Sequence, residues 1–274
     1  MYELMNHPAF QGGVAPFFTG LIITFILYRM GSIQGISLLA GFLVTVSLTV
    51  GLSFDPLTST RKIILFVMAA AVLSVLQPNL RGAGKGEGIT LLFALGGISW
   101  ILWPYLSRQP LADNWFIILS SLLFVSWITL GLNLLRHRSA TSAGVTVASL
   151  ALGLGITATV GASALYGQMA MAIGAAAMGY VLVQIVMKSG NQAGWLLVAV
   201  GSASIAMIGP ASVVYAKVPW ISLLALAFVP LLAQLEIARN QPLLKRAVIL
   251  FIVFAVPVTA SVVLALQAAG PVPF

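Results

Sequence analysis

The residues with most chemical promise lie in one long charge-free stretch, 139–187. Ser149, Gly153, Thr157 and Gly161 recur every four residues, and so do Gln168, Ala172, Ala176, Tyr180 and Gln184, with Lys188 continuing the line. On a helix, four-residue spacing draws a stripe that drifts by about 40° per step. Tyr180 and Gln184 are therefore neighbours, while Gln168 faces elsewhere. Amide and phenol tips need partners when water is absent, so the Tyr180–Gln184 face is expected to point into a helix bundle or a polar cavity, not at lipid. Two kinds of chemistry fit. One is a substrate path, with Ser149, Thr157, Gln168, Tyr180 and Gln184 contacting a neutral or zwitterionic group. The other is close helix packing, in which small residues let backbones approach and polar tips bond across helices.

Other reactive constellations fail on composition or position. With no cysteine there is no disulfide, thiolate metal site, iron–sulfur cluster or cysteine nucleophile. His7 precedes the first apolar segment and His137 sits in Arg136-His137-Arg138, so neither lies at the depth of a buried serine or opposite a second histidine. No two acids share an apolar segment, which removes paired-carboxylate catalysis. Met169, Met171, Met178 and Met187 cluster, but 169 and 171 point to different helix faces, and methionine commonly fills core gaps. The chain is read as non-enzymatic, with no cofactor and no metal.

The elements that position these residues follow from composition. Of 274 residues, 60% are hydrophobic and 7% charged, with a mean hydropathy of +1.08. Soluble domains carry about 25% charged residues. Lipid or neighbouring transmembrane helices must surround most of this chain. A net charge of +8 then reads as basic residues anchored among anionic headgroups, not as nucleic-acid binding. The N-terminus lacks the basic region of a cleaved leader, so the first apolar segment is expected to be retained.

The charges act as punctuation. All eighteen Asp, Glu, Lys and Arg residues fall at the borders of apolar windows. An ionisable group deep in a membrane is costly and usually functional, so their confinement argues against a proton relay, a voltage sensor or a buried carboxylate cation site. Most windows match the roughly 20 residues that span a bilayer. The window 139–187 would be roughly 73 Å long as one helix, so it must fold back, with Tyr166-Gly167-Gln168 as the expected turn. Ten helices result: 12–28, 32–53, 63–78, 89–107, 115–135, 143–165, 168–187, 194–215, 218–237 and 247–267. Turns such as Asp55-Pro56, Pro78-Asn79 and Asn240-Gln241-Pro242 join them, and every loop is short. Trp100, Trp103, Trp115, Trp195 and Trp220 lie near span ends, while Trp127 is mid-span and expected to pack on a neighbour. Pro210, Pro230 and Pro257 lie inside spans and can kink them. The pairs Arg136/Arg138 and Lys245/Arg246 are basic enough to meet phosphate headgroups, although ordinary cytoplasmic anchoring is the reading preferred for them.

The expected fold is thus all-α, a polytopic transmembrane bundle of about ten helices forming one integral membrane domain, 1–274, with candidate halves 1–138 and 139–274. Five helices per half would make a second copy inverted, a common transporter plan, and the count is similar to that of small multidrug- and metabolite-exporter-type permeases, although no motif carries the resemblance further. Loops on the side of the termini hold Arg61, Lys62, Arg108 and Lys217; the others hold Arg29, Arg81, Lys85, Arg136, Arg138, Lys188, Arg239, Lys245 and Arg246. The positive-inside rule then puts both termini on the non-cytoplasmic side of a bacterial inner membrane. The functional expectation is a transporter or permease for a neutral, zwitterionic or lipidic substrate. The alternative is a non-catalytic subunit of a larger membrane complex. The expected partners are membrane lipids, and either other membrane subunits or further copies of the chain.

Overall fold

The structure is a computed structural model, and it describes residues 7–76, 85–108, 110–161, 163–188, 192–235, 237 and 240–270. Glu3, Arg81, Glu236, Arg239 and the turn Pro78-Asn79 lie outside the described residues. Among the described residues there are ten helices: α1 (Phe10–Ile26, opening with a π-helical turn), α2 (Ile36–Thr49), α3 (Ser59–Leu76), α4 (Lys85–Leu106), α5 (Leu111–Asn133), α6 (Ala140–Val160), α7 (Ala164–Val186), α8 (Gly194–Ala216), α9 (Trp220–Leu226 and Phe228–Gln234) and α10 (Leu243–Ala269). Proline sets three of the starts. Pro110, Pro219 and Pro242 each sit one residue before a helix, in extended conformation, where a missing N–H costs nothing.

Among the described residues, seven helices, α3 to α8 and α10, are long and apolar enough to cross a membrane. Phe10–Ile26, Ile33–Thr49 and Trp220–Gln234 are shorter. At about 1.5 Å per residue, 17 residues reach about 25 Å, against a hydrocarbon core of about 30 Å. The expected spans 32–53 and 218–237 are therefore cut back, for local reasons. Before α2 the chain passes through a tight 3-10 segment, Tyr28–Gly35, with Gly31 at φ 52°, a conformation that favours glycine. In α9 the ladder breaks at Ala227, one turn before Pro230, which has no N–H for the carbonyl four residues back.

The hairpin predicted inside 139–187 forms, but five residues earlier than Tyr166-Gly167-Gln168. α6 ends at Gly161, and Ser163 caps α7 by accepting a hydrogen bond from the Tyr166 N–H. Serine is a strong N-cap, and that signal outweighs the polarity of Tyr-Gly-Gln, which lies in the first turns of α7.

The centre is built from α6, α7 and α8, buried along most of their length. α6 and α7 pack as an antiparallel pair, α1 and α2 cover α7, α10 covers α6, and α3, α4 and α5 pack on or beside α8. Small residues permit the closest crossings. A Cβ on Gly20 of α1 would stand 2.5 Å from the Ala176 carbonyl oxygen of α7, and one on Gly179 would meet the Phe17 carbonyl. Backbones approach this closely only where side chains are missing. Outward faces carry Phe25, Leu92, Trp103, Leu123, Leu224, Ile252 and Val256, all exposed. Apolar exteriors around an apolar, close-packed interior define a multi-pass integral membrane protein whose surface contacts lipid.

Candidate functional site

The α7 residues singled out by sequence are buried between helices. Tyr180 packs its ring over Gly144 of α6. The side-chain amide of Gln184 donates to Gln34 Oε1 at 2.6 Å, and Gln34 in turn donates to the Tyr28 carbonyl at 2.5 Å. The Tyr28 hydroxyl returns to the Met187 carbonyl at 3.2 Å, which ties the 3-10 segment to the end of α7. Gln168 is half-buried and lies against Gly12 of α1, away from Tyr180 as the helical drift requires. Met169 is buried, and Met171 packs on Gly155.

The α6 stripe faces α10 and α9. Gly153 meets Leu226 and Val258, and the Thr157 hydroxyl lies 3.0 Å from the hydroxyl of Ser261. Ser149 is buried, and its hydroxyl has no hydrogen-bond partner among the described residues. Pro257 lies in the wall opposite, inside α10.

Above Ser149 the same face of α6 opens into a basin of about 550 Å³. Its walls are Leu135, His137, Arg138, Ser139, Ser142, Thr146, Ala233, Asn240, Arg246 and Leu250. The rim residues His137 and Asn240 are exposed, while Leu135, Thr146 and Leu250 at the floor are buried. The two arginines arrive from different parts of the chain. Arg138 closes the α5–α6 connection, held there by a backbone bond from the Ala193 N–H to its carbonyl at 3.1 Å. Arg246 rides in the first turn of α10, where its own N–H bonds the Pro242 carbonyl at 2.8 Å. Both α6 and α10 begin beside the basin, so the positive ends of two helix dipoles add to the guanidinium charges. No acidic side chain is among the described residues lining it. Sequence marks Arg136/Arg138 and Lys245/Arg246 separately as basic pairs. Their convergence is a tertiary property that no local signal announces.

Arg136 turns away from the basin. It pairs with Glu87 at 2.9 Å and stacks on Trp195 with its guanidinium 4.0 Å from the ring centre. One helix away, α5 and α9 form an apolar groove of about 610 Å³ lined by Phe116, Leu123, Trp127, Trp220, Leu224 and Phe228 among others. The seam between these helices is stitched by Trp127 Nε1, which donates to the Ala227 carbonyl at 2.8 Å at the break in α9, and by Gln234, which donates to the Gly131 carbonyl at 3.1 Å.

No protein-family model matches the chain, and no curated protein matches its sequence. The class is therefore carried by the helices themselves, and any function by the basin and the hydroxyl face beneath it.

Proposed function

We propose that the protein is a permease-like transporter for a lipidic or zwitterionic substrate, which enters at the basin and moves along the α6–α10 interface. The observation that carries this reading is the continuity of one hydroxyl-bearing face. Ser142, Thr146, Ser149 and Thr157 succeed one another down α6 from the basin rim, over about 22 Å of helix. That depth reaches well past the middle of a hydrocarbon core of about 30 Å. In this conformation the route is closed by Gly153 packed on Val258 and by Thr157 meeting Ser261. Pro257 leaves the Val253 carbonyl without its helical donor, which supports α10 as the part that bends. The apolar groove across the α5–α9 seam offers a complementary surface for a hydrocarbon tail. The basin lies where α6 and α10 begin, the end that carries Arg136, Arg138, Lys245 and Arg246, so the positive-inside rule assigns it to the cytoplasm. An inverted relation between residues 1–138 and 139–274 belongs to this same proposal.

The test is translocation of a short-chain fluorescent phospholipid in proteoliposomes, read by dithionite quenching of the outer leaflet. The proposal expects faster loss of protected fluorescence than in protein-free vesicles. Equal rates, repeated with a zwitterionic amino-acid probe, overturn it.

A second reading, a non-catalytic subunit of a membrane complex, is favoured by the burial of Tyr180 and Gln184 within the bundle, where Tyr180 packs on Gly144 of α6 and the Gln184 amide donates to Gln34. Mild extraction followed by mass spectrometry of co-purifying chains tests it: stoichiometric partners favour a subunit, and recovery of this chain alone counts against one.

A further inference from the structure

We infer that a small cavity between α3, α4, α5 and α8 is a binding site for a single ordered water molecule, held by the hydroxyls of Ser74, Thr129 and Ser202. The inference goes beyond the permease reading, because the cavity lies outside the α6–α10 route and stands or falls without it. The three residues are only 3%, 1% and 2% exposed. Their donors and acceptors decide the ligand. The Ser74 hydroxyl donates to the Ala71 carbonyl at 2.7 Å, and the Ser202 hydroxyl to the Ala199 carbonyl at 3.2 Å. Each has spent its one proton and can only accept from a further partner. Thr129 Oγ1 has no hydrogen-bond partner among the described residues, so this hydroxyl can still donate. One water complements the set. Its two O–H groups donate to Ser74 and Ser202, and its oxygen accepts from Thr129. About three hydrogen bonds is the usual number for a buried water. Thr90 also lines the cavity, with its hydroxyl donating to the Gly86 carbonyl at 2.9 Å. The cavity offers about 20 Å³, against the roughly 10–15 Å³ that one water needs, and a larger solute does not fit. No charged side chain is among the described residues lining it, so nothing there offsets the desolvation of an ion. The rest of the wall is apolar, and Phe66 and Phe93 stack in it with ring centres 4.5 Å apart. The bound water links α3, α5 and α8 at a place where their own hydroxyls do not bond one another.

X-ray hydroxyl-radical footprinting of the full chain in lipid nanodiscs tests the site, because radiolysis of a bound water oxidises the side chains beside it where bulk solvent does not reach. The reporter is Phe66, buried on the cavity wall, and the references are Phe42 and Phe254, buried elsewhere. Phe66 is expected to be oxidised at least about fivefold faster than either reference. Thr129→Val keeps the shape of the side chain, removes the one free donor, and should slow Phe66 oxidation at least about threefold while both references stay as they are. Ala203→Leu, which fills the cavity and leaves every hydroxyl, should slow it as much, and stands in if Thr129→Val does not fold. A Phe66 rate equal to the references in the unsubstituted protein overturns the site. So does a rate unchanged by Thr129→Val or by Ala203→Leu, which would mark entry of bulk solvent. The measurement is repeated with choline chloride in place of sodium chloride. Equal rates support a water, whereas a Phe66 rate that rises when sodium is withdrawn shows an ion in its place and overturns the proposal. Because oxidation is read without transport, loss of the water site leaves the permease reading intact, and a failed translocation assay leaves the water site intact.

Discussion

Lys62 donates from Nζ to the carbonyl of Trp100 at 2.9 Å, and Pro104 is the reason that carbonyl is open. In an unbroken helix the Trp100 carbonyl would receive the N–H of residue 104, which proline lacks. Lys62, four residues into α3 and only 7% exposed, fills the vacancy from the next helix and holds its ammonium 5.1 Å from the centre of the Trp100 ring. The Tyr215 hydroxyl of α8 takes the adjacent Ile101 carbonyl at 3.1 Å. The turn of α4 opened by Pro104 is thereby tied to two neighbouring helices, and a cation expected at a membrane border is turned inward to do it.

That relationship predicts a coupling. Lys62→Ala leaves a buried carbonyl unpaired and should destabilise the protein by about 1–3 kcal/mol. In a Pro104→Ala background the helix supplies its own N–H, and the same truncation should cost at least about 1 kcal/mol less. Reversible unfolding in mixed micelles measures both arms of the cycle. Additive effects would mean that the proline and the lysine act separately.

The Gln34–Gln184 bond predicts a similar non-additivity. Either single change to Leu strands a buried amide and should cost about 1–3 kcal/mol, while the double change to Leu removes both amides and should cost less than the two singles summed. The same unfolding measurement decides it.

Glycine positions should divide sharply. Gly20→Val pushes side-chain atoms into the Ala176 backbone and is expected to lower stability by about 1–3 kcal/mol, whereas Gly13→Ala has open space and should be tolerated. Melting temperatures of the two variants in one detergent compare them directly.

The sequence made the helices legible because charge is so scarce. Each of the ten helices runs through one charge-free window, and where charges do enter a helix, as with Arg61, Lys62, Glu87, Asp113, Lys245 and Arg246, they stay within its first four residues. What it did not make legible was local geometry inside apolar segments. The 3-10 turn at Tyr28–Gly35 and the break at Ala227 leave hydropathy unchanged, so spans 32–53 and 218–237 read as longer than they are. The turn of the hairpin falls five residues before the polar tripeptide, because the Ser163 cap governs the start of α7 and a lone serine stands out less in the sequence than Tyr-Gly-Gln. Among the candidate residues, the four-residue spacing turns Tyr180 and Gln184 to the bundle interior, where both are buried, but no local pattern names Gln34, 150 positions away, as the partner of Gln184. Ser149 and Thr157 were read as one stripe. Its opening into an arginine-lined basin depends on where α10 docks, which no spacing within α6 encodes.

The absence of native cysteine makes the decisive measurement clean. Thr157 and Ser261 face each other across the proposed route with their hydroxyls 3.0 Å apart, close enough for a disulfide once both are replaced by cysteine. In proteoliposomes, Thr157→Cys/Ser261→Cys should translocate substrate when reduced, stop when oxidised and recover on re-reduction, with each single variant indifferent to oxidant. Transport by the oxidised pair at the reduced rate would contradict movement between α6 and α10, and with it the route on which the functional account is built.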